Sequence, residues 1–300
     1  MADFVELADG TPLHLRRWGE PDAPVTVLLC HGYALDLRSW VPVAEDLPAA
    51  IEHPVRVVAY DHRGHGRSGP ACSASATMDR LGDDLAELIG RIAPTGPVVL
   101  AGHDMGGLAA MALAQRHHGL FTERVAGLVL LATSAGGLST EASAAWPNAM
   151  GRLARDLEAV FGSTLVGLVR EHTSKAVAAG LRWWLFGDDP DPAQVELTVQ
   201  MIRGNWPDTV ALFRPSMDAY ARDAALSVAA GVPVTAIVGE RDRLVPAEDV
   251  RRMTAPVPLG TAVVLPGRGH VLPLEGAAEV LPRIVSIVHS VYRELDDQAR

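Results

Sequence analysis

The residues best suited to chemistry lie at positions 102–107, which read Gly-His-Asp-Met-Gly-Gly and place the carboxylate of Asp104 at the centre. An apolar, β-branched run precedes them at 97–101, and a helix-forming Ala/Leu run follows at 108–115. Strand, Gly-x-nucleophile-x-Gly and helix in this order are typical of a nucleophile elbow, where glycines permit a sharp turn. The usual nucleophile there is Ser, so a carboxylate changes the predicted chemistry.

A carboxylate nucleophile suits displacement at a saturated carbon better than acyl transfer. Attack on an ester would produce a high-energy anhydride, whereas attack on an alkyl carbon produces an alkyl ester of the enzyme. Asp104 therefore predicts the opening of an epoxide or the expulsion of a halide. The N-terminus of the following helix and its backbone N–H groups favour the ionised carboxylate that such a step needs.

Two later residues complete a catalytic set in the chain order nucleophile, acid, base. Asp242 and His270 each follow an apolar, strand-like run, and strand ends are where an open α/β sheet places its site residues. We expect Asp242 to orient His270, which then activates a water against the ester on Asp104. Glu240 stays open as an alternative acid.

A second loop could stabilise the charge that develops during ester hydrolysis. Residues 30–33 read Cys-His-Gly-Tyr directly after an apolar run. The backbone N–H groups of Tyr33 and Met105 would together form an oxyanion hole. The segment 61–68, Asp-His-Arg-Gly-His-Gly-Arg-Ser, is equally conspicuous, but we interpret it as loop architecture. We also expect His103 to be structural.

These residues must be positioned by strands that alternate with helices. We predict strands at 13–18, 25–30, 55–60, 98–102, 125–132, 234–239 and 262–265, and helices at 79–92, 105–117, 247–253 and 277–295. Near-continuous apolar strands are typical of a parallel sheet buried on both faces. The predicted fold class is α/β, with a mostly parallel sheet flanked by helices.

The alternation breaks between about 134 and 226, which predicts a helical cap inserted into a core of 1–133 and 227–300. Gly-containing segments at both ends are candidate hinges. The insertion is rich in aromatic residues: Trp146, Phe161, Trp183, Trp184, Phe186, Trp206, Phe213 and Tyr220. Such a lining indicates a small apolar or aromatic substrate, with water as the second reactant.

Composition narrows the class of protein further. The 300 residues carry a formal net charge of −10 and lack blocks of Lys or Arg, which argues against nucleic acid or an anionic membrane as partner. Two cysteines, Cys30 and Cys72, make no disulfide or metal pattern, so we expect no metal and no cofactor. With no signal peptide or membrane-span pattern visible, the expected location is the cytoplasm. A homodimer stays open.

Taken together, the motifs resemble those of α/β-hydrolases over the whole chain. Within that superfamily, Gly-His-Asp resembles the elbow of epoxide hydrolases and of haloalkane and haloacid dehalogenases. Two positions depart from the epoxide-hydrolase pattern: Ala34 stands where His-Gly-x-Pro has its Pro, and Met105 stands where Trp usually follows the nucleophile. The missing Trp also counts against a haloalkane dehalogenase, and the Arg typical of haloacid enzymes is absent.

The resemblance to epoxide hydrolases implies hydrogen-bond donors for the departing epoxide oxygen, since that family uses paired cap tyrosines. The predicted cap offers Tyr220 and the pair Trp183-Trp184. A phenol can donate a proton, and an indole N–H can donate a hydrogen bond. Adjacent helical residues point about 100° apart, so one Trp of the pair would face the cleft. The alternative is that these aromatics only pack the core or shape the cleft wall.

The sequence therefore predicts an epoxide hydrolase with Asp104 as nucleophile. The alternatives are a serine-esterase type whose nucleophile was replaced by Asp, a haloalkane or haloacid dehalogenase, and a non-catalytic ligand-binding protein on this scaffold. An inactive serine-type protein should gain ester hydrolysis on Asp104→Ser. A binding protein should bind ligand without turnover, unaffected by His270→Ala.

Overall fold

A computed structural model describes residues 3–135, 175–205, 207–219 and 223–300. Within them, eight strands form one sheet in the order β1-β2-β4-β3-β5-β6-β7-β8, parallel from β4 to β8 and antiparallel at β1 and β2. The strands are β1 Asp3–Glu6, β2 Pro12–Gly19, β3 Val25–Cys30, β4 Val55–Tyr60, β5 Val98–His103, β6 Val125–Leu131, β7 Val234–Gly239 and β8 Gly260–Leu265. The predicted fold class is confirmed.

The central strands are apolar because both of their faces are covered. Every residue of β3 and of β5 is buried, and the two strands pair in parallel with Leu28 opposite Leu100. All seven predicted strands are present, with ends within two residues of those predicted. The sequence analysis missed β1, a four-residue edge strand whose residues alternate between half-buried and exposed.

Helices cover both faces of this sheet. One face carries α2 (Met78–Ile92), α3 (Met105–Arg116), α4 (His118–Arg124) and α9 (Ala247–Thr254). The other carries α1 (Val41–Ala50), α10 (Leu272–Glu275) and α11 (Ala277–Gln298). The four predicted helices are confirmed to within three residues, whereas α1, α4 and α10 were not predicted.

Between β6 and β7, the structure describes four helices and one 3₁₀ segment. They are α5 Lys175–Leu185, α6 Pro192–Gly204, α7 Pro207–Ala211, α8 Arg214–Asp218 and the 3₁₀ segment Asp223–Gly231. Of the aromatic residues expected here, Phe186 and Phe213 are buried in the core. Trp146, Phe161, Trp206 and Tyr220 lie outside the described residues. The division into core and cap stays a prediction.

Among the described residues, no helix is long and apolar enough to cross a lipid bilayer.

Candidate active site

The turn between β5 and α3 places Asp104 in a conformation that L-amino acids rarely adopt, with φ 47° and ψ −113°. Hydrogen bonds at the backbone N–H and carbonyl of Asp104 hold this turn. The N–H of Asp104 donates to Leu131 O at 2.9 Å, and its carbonyl accepts from Gly107 N at 2.9 Å and from Thr133 Oγ1 at 3.1 Å. Backbone strain held in this way is characteristic of functional residues.

Close approach of the neighbouring strand explains a glycine of this turn. A Cβ on Gly106 would lie 2.3 Å from the carbonyl oxygen of Cys30, at the end of β3. The glycine thus lets α3 begin directly against the loop that follows β3. Asp104 itself is part-exposed, whereas its neighbours His103 and Met105 are buried.

The carboxylate of Asp104 meets the loop after β3 through a backbone group. The N–H of Tyr33 donates to Asp104 Oδ2 at 2.9 Å. Met105 is the first residue of α3, where a backbone N–H has no acceptor within its own helix. The two groups predicted to form an oxyanion hole therefore lie beside Asp104, one in contact with it and one in the next peptide unit.

Asp242 and His270 are brought together as expected. Nδ1 of His270 donates to Asp242 Oδ2 at 3.0 Å, and the other carboxylate oxygen accepts the N–H groups of Leu244 and Val245 at 2.8 and 2.9 Å. These bonds fix the carboxylate and leave Nε2 of the imidazole as its working nitrogen. Glu240 is placed elsewhere, accepting the N–H of Gly267 at 3.1 Å, so Asp242 is the acid in contact with His270.

Electrostatics favour the protonated form of His270. Burial alone would lower its pKa, but the negative charges of Asp242, Asp104 and Glu275 outweigh burial and raise the pKa to about 9. Asp104 is thus close enough to His270 for its charge to act on the imidazole. The arrangement provides a carboxylate and, beside it, a histidine whose charge state depends on that carboxylate.

His103 packs beside His270 and makes a hydrogen bond to its backbone. Its ring is buried, and Nε2 donates to the backbone carbonyl of His270 at 2.9 Å. Burial and the charge of His270 lower the pKa of His103 to about 4, so the ring is neutral. These contacts fit the structural role expected for it.

Buried hydrogen bonds hold the loop 61–68 against neighbouring segments. Asp61 is buried and accepts hydrogen bonds from His14 Nδ1 and from the N–H groups of Leu37 and Arg67, each at 2.8 Å. Arg63 makes two hydrogen bonds of 2.8 Å to Asp84. The buried Nε2 of His65 has no hydrogen-bond partner among the described residues, but the contacts of Asp61 and Arg63 are typical of an architectural element, the role that the sequence analysis predicted.

The aromatic residues expected to hold the substrate are described only in part. Trp183 is 53% exposed, and the guanidinium of Arg243 lies 4.7 Å from its ring centroid. Trp184 is half-buried, with its ring centroid 5.8 Å from that of Trp183. Tyr220 lies outside the described residues, so the proposed roles of these three aromatics stay predictions.

Glu275 is a buried residue near the site that the sequence analysis missed. Its Oε2 accepts the N–H of Gly187 at 2.9 Å, and its charge acts on His270. The signal in the sequence is weak, because Glu275 ends a short apolar run (271–274) that resembles an ordinary turn. Within the described part of the chain, no group of three or more His, Cys, Asp or Glu residues could hold a metal ion.

The elbow, the sheet and the late Asp-His pair define a class of protein that comparison with known families identifies. The chain belongs to the α/β-hydrolase fold family, whose model matches residues 25–277. The resemblance inferred from the sequence motifs is thereby confirmed at the level of the superfamily.

The individual relatives include lipases, esterases and putative carbamate hydrolases. A lipase, LipV of Mycobacterium tuberculosis, is 40% identical over 119 residues, which are 40% of this chain and 41% of the lipase. A cis-3-alkyl-4-alkyloxetan-2-one decarboxylase of Xanthomonas campestris pv. campestris is 29% identical over 207 residues, 67% of this chain and 62% of that protein. This chain therefore spans less than two thirds of the length of either relative.

Solved structures extend the similarity over the whole fold. A thermophilic esterase from Thermogutta terrifontis is 28% identical, with a TM-score of 0.74 over 97% of this chain and 99% of the esterase. A bromoperoxidase from Bacillus anthracis has a TM-score of 0.78 over 96% of this chain and all of that one, at 17% identity. At that low identity, the second likeness concerns the fold alone.

Proposed function

We propose that this protein opens epoxides through a covalent ester on Asp104. The observation that carries the proposal is a part-exposed carboxylate at the strained elbow, in contact with the Tyr33 N–H and close to the Asp242–His270 pair. A carboxylate at this position has the reach and the chemistry of a nucleophile for saturated carbon.

In the first step, an oxygen of Asp104 forms a bond to an epoxide carbon while the carbon–oxygen bond of the ring breaks. The ring oxygen keeps the electron pair of the broken bond and takes the phenol proton of Tyr220, which leaves a hydroxyalkyl ester of Asp104 and a phenolate at Tyr220. Because Asp104 attacks as a carboxylate, this step needs no general base. The hydrogen bond from Tyr33 restricts the carboxylate to an orientation that presents its other oxygen.

In the second step, His270 removes a proton from water, and the oxygen of that water attacks the carbonyl carbon of the ester. Negative charge then develops beside the backbone N–H groups of Tyr33 and Met105, which can stabilise it. The tetrahedral intermediate expels the alkoxide, which takes the proton that His270 removed from water, and a diol leaves. The carboxylic acid that remains on Asp104 then gives its proton through solvent to the Tyr220 phenolate, which restores both groups.

The charge of Asp104 couples these two steps. That charge is among the causes that raise the pKa of His270, and ester formation removes it. The pKa of His270 therefore falls when the ester forms, which is when a neutral imidazole is required as the base. A serine in place of Asp104 would carry no such charge before the first step.

For the departing epoxide oxygen, we propose Tyr220 and one tryptophan of the pair as hydrogen-bond donors. Trp184 is the better candidate of the two because it is half-buried, whereas Trp183 is 53% exposed. Trp184→Phe and Tyr220→Phe should each slow the first step, while Trp183→Phe should have little effect. Full epoxide turnover in all three variants would remove these residues from the proposal.

A second candidate is an esterase-type protein whose Ser was replaced by Asp. The supporting observation is that two of the proteins compared above are named as a lipase and an esterase. In this case Asp104→Ser should produce strong hydrolysis of p-nitrophenyl esters and cost no native activity. Under the epoxide proposal, the same substitution removes diol formation.

The choice of substrates should include other carbons that a carboxylate can attack. Alkyl halides would test the dehalogenase alternative. The Xanthomonas relative is named for an oxetan-2-one, a strained ring whose alkyl carbon–oxygen bond can break to release a carboxylate. Ring strain would favour attack by the Asp104 carboxylate on that alkyl carbon, as it does in an epoxide.

The experiment that tests this proposal traps the ester. In His270→Gln the first step should proceed and the second should stall, so intact mass should rise by the mass of one epoxide. The matched variant Asp104→Asn with His270→Gln should show no adduct. An adduct that persists in this double variant, or no adduct with any aryl or alkyl epoxide, would contradict the proposal.

A further inference from the structure

The end of helix α5 is joined directly to the loop that carries His270. The carbonyl of Leu185 accepts the N–H of His270 at 2.8 Å, and the N–H of Asp188 donates to Gly267 O at 2.7 Å. Because α5 also carries Trp183 and Trp184, the aromatic pair and the candidate base belong to one hydrogen-bonded unit.

Two glycines set the spacing within this unit. A Cβ on Gly187 would lie 1.9 Å from the carbonyl oxygen of Gly267, and one on Gly269 would lie 2.4 Å from the carbonyl carbon of Phe186. The two backbone segments are therefore packed as closely as their atoms allow. Residues 185–188 and the loop of His270 pack backbone against backbone.

Glu275 lies at the junction of these segments. Its side chain is buried, Oε2 accepts the N–H of Gly187 at 2.9 Å, and Oε1 has no hydrogen-bond partner among the described residues. Burial raises the pKa of Glu275, while the N–H groups of Gly187 and Gly269 and the positive charge of His270 act in the opposite direction. The carboxylate of Glu275 thus faces backbone N–H groups of both segments, which places it to hold them together.

We propose that Glu275 is a positioning residue, which holds the end of α5 against the loop of His270 and presents a negative charge to the imidazole. The inference rests on the proposed function only for the role of His270 as base. The effect of Glu275 on His270 is electrostatic and geometric. It requires no contact between the Glu275 carboxylate and the reacting atoms.

The effect of Glu275 on the pKa of His270 depends on which other charged groups face the imidazole. Asp242, Asp104 and Glu275 raise the pKa of His270, whereas the neighbouring ring of His103 is neutral. Once Asp104 is esterified, Asp242 and Glu275 are the negative charges of this set that remain. Glu275 therefore acts mainly on the second step, in which His270 must accept a proton from water and then return it.

Two substitutions separate the charge of Glu275 from its hydrogen bond. Glu275→Gln keeps an oxygen for the N–H of Gly187 and removes the charge, so the pKa of His270 should fall by about one unit. Glu275→Ala removes both, so kcat for ester hydrolysis, measured at a pH where His270 is already neutral, should fall about tenfold with KM little changed, because the loop of His270 is no longer held. Glu279→Gln is the matched control, because Glu279 pairs with Arg268 of the same loop at 2.6 Å.

The measurement is an NMR titration of the His270 imidazole in the full-length protein, assigned by the signal that His270→Gln lacks. The expected result is a lower pKa in Glu275→Gln and an unchanged one in Glu279→Gln. An unchanged titration in Glu275→Gln would overturn the proposal, even if Glu275→Ala fails to fold. Since the titration needs no turnover, it stays decisive if Asp104 proves not to form an ester.

Discussion

Two loops at the carboxyl end of the sheet carry equally conspicuous sequences, yet the structure uses them differently. In the loop 61–68, the carboxylate of Asp61 is 1% exposed and accepts three hydrogen bonds. In the elbow 102–107, the carboxylate of Asp104 is part-exposed and its Oδ2 accepts the N–H of Tyr33. A carboxylate whose lone pairs are engaged in the interior stabilises a loop, whereas one that faces an opening can react.

The largest predicted effect is on the elbow. Asp104→Asn removes the nucleophile with little change of shape, so the rate of epoxide opening should fall by about 10⁴-fold or more. The unfolding transition should stay close to that of the wild type. Steady-state diol formation and urea denaturation measure the two quantities. A variant that keeps a tenth of its activity would contradict the assignment of Asp104.

Asp to Asn in the loop 61–68 should lower stability and leave the activity of the folded protein nearly unchanged. Asp61→Asn turns an amide NH₂ group toward donors that now lack an acceptor, which should lower the free energy of unfolding by about 3 kcal/mol. Any activity that remains per folded molecule should stay near that of the wild type. Stability equal to the wild type in urea would show that the hydrogen bonds of Asp61 are not what holds the loop.

The pH dependence of the second step should distinguish His270 from its neighbours. A raised pKa means that His270 is protonated below about 9 and cannot accept a proton there. In the wild-type protein, ester hydrolysis within a single turnover should therefore speed up with rising pH, about tenfold per unit well below the pKa of His270. The midpoint should lie below 9, because the ester removes the charge of Asp104. A rate independent of pH between 6 and 8 would contradict His270 as the base.

The smallest effects compare two glycines. Gly66, in the loop 61–68, has φ +53°, and a Cβ there would lie 2.4 Å from the Asp61 carboxyl carbon. Gly66→Ala should therefore lower stability by about 2 kcal/mol. Gly90, in α2, has nothing within 4 Å of such a Cβ, so Gly90→Ala should raise stability by about 0.5–1 kcal/mol. Thermal unfolding of Gly66→Ala and Gly90→Ala measures the two stability changes. Equal changes in melting temperature would contradict the prediction.

Much of the fold and the central site residues could be predicted because their signals are local. Continuous apolar runs identify strands such as β3 and β5, and strand ends then locate Asp104, Asp242 and His270. Helix α1 was missed because Pro42 and Pro48 weaken its helical pattern, although its apolar residues pack into the core.

Glu275 could not be predicted for a different reason. Its partner Gly187 is 88 residues away, and no pattern near Glu275 announces that contact. The same holds for the choice between Asp242 and Glu240, which only the hydrogen bond to His270 decides. Contacts between distant segments depend on the folded chain, so sequence periodicity alone does not reveal them.

The central claim is that Asp104 forms a covalent ester, and one measurement tests it most directly. Wild-type protein in excess over an epoxide is allowed a single turnover in H₂¹⁸O, followed by peptide mass analysis around Asp104. We predict ¹⁸O in the Asp104 carboxylate and an unlabelled diol, because water attacks the ester carbonyl and the diol receives an oxygen from Asp104. A labelled diol with no label in Asp104 would mean that water attacks the epoxide directly, which contradicts the account.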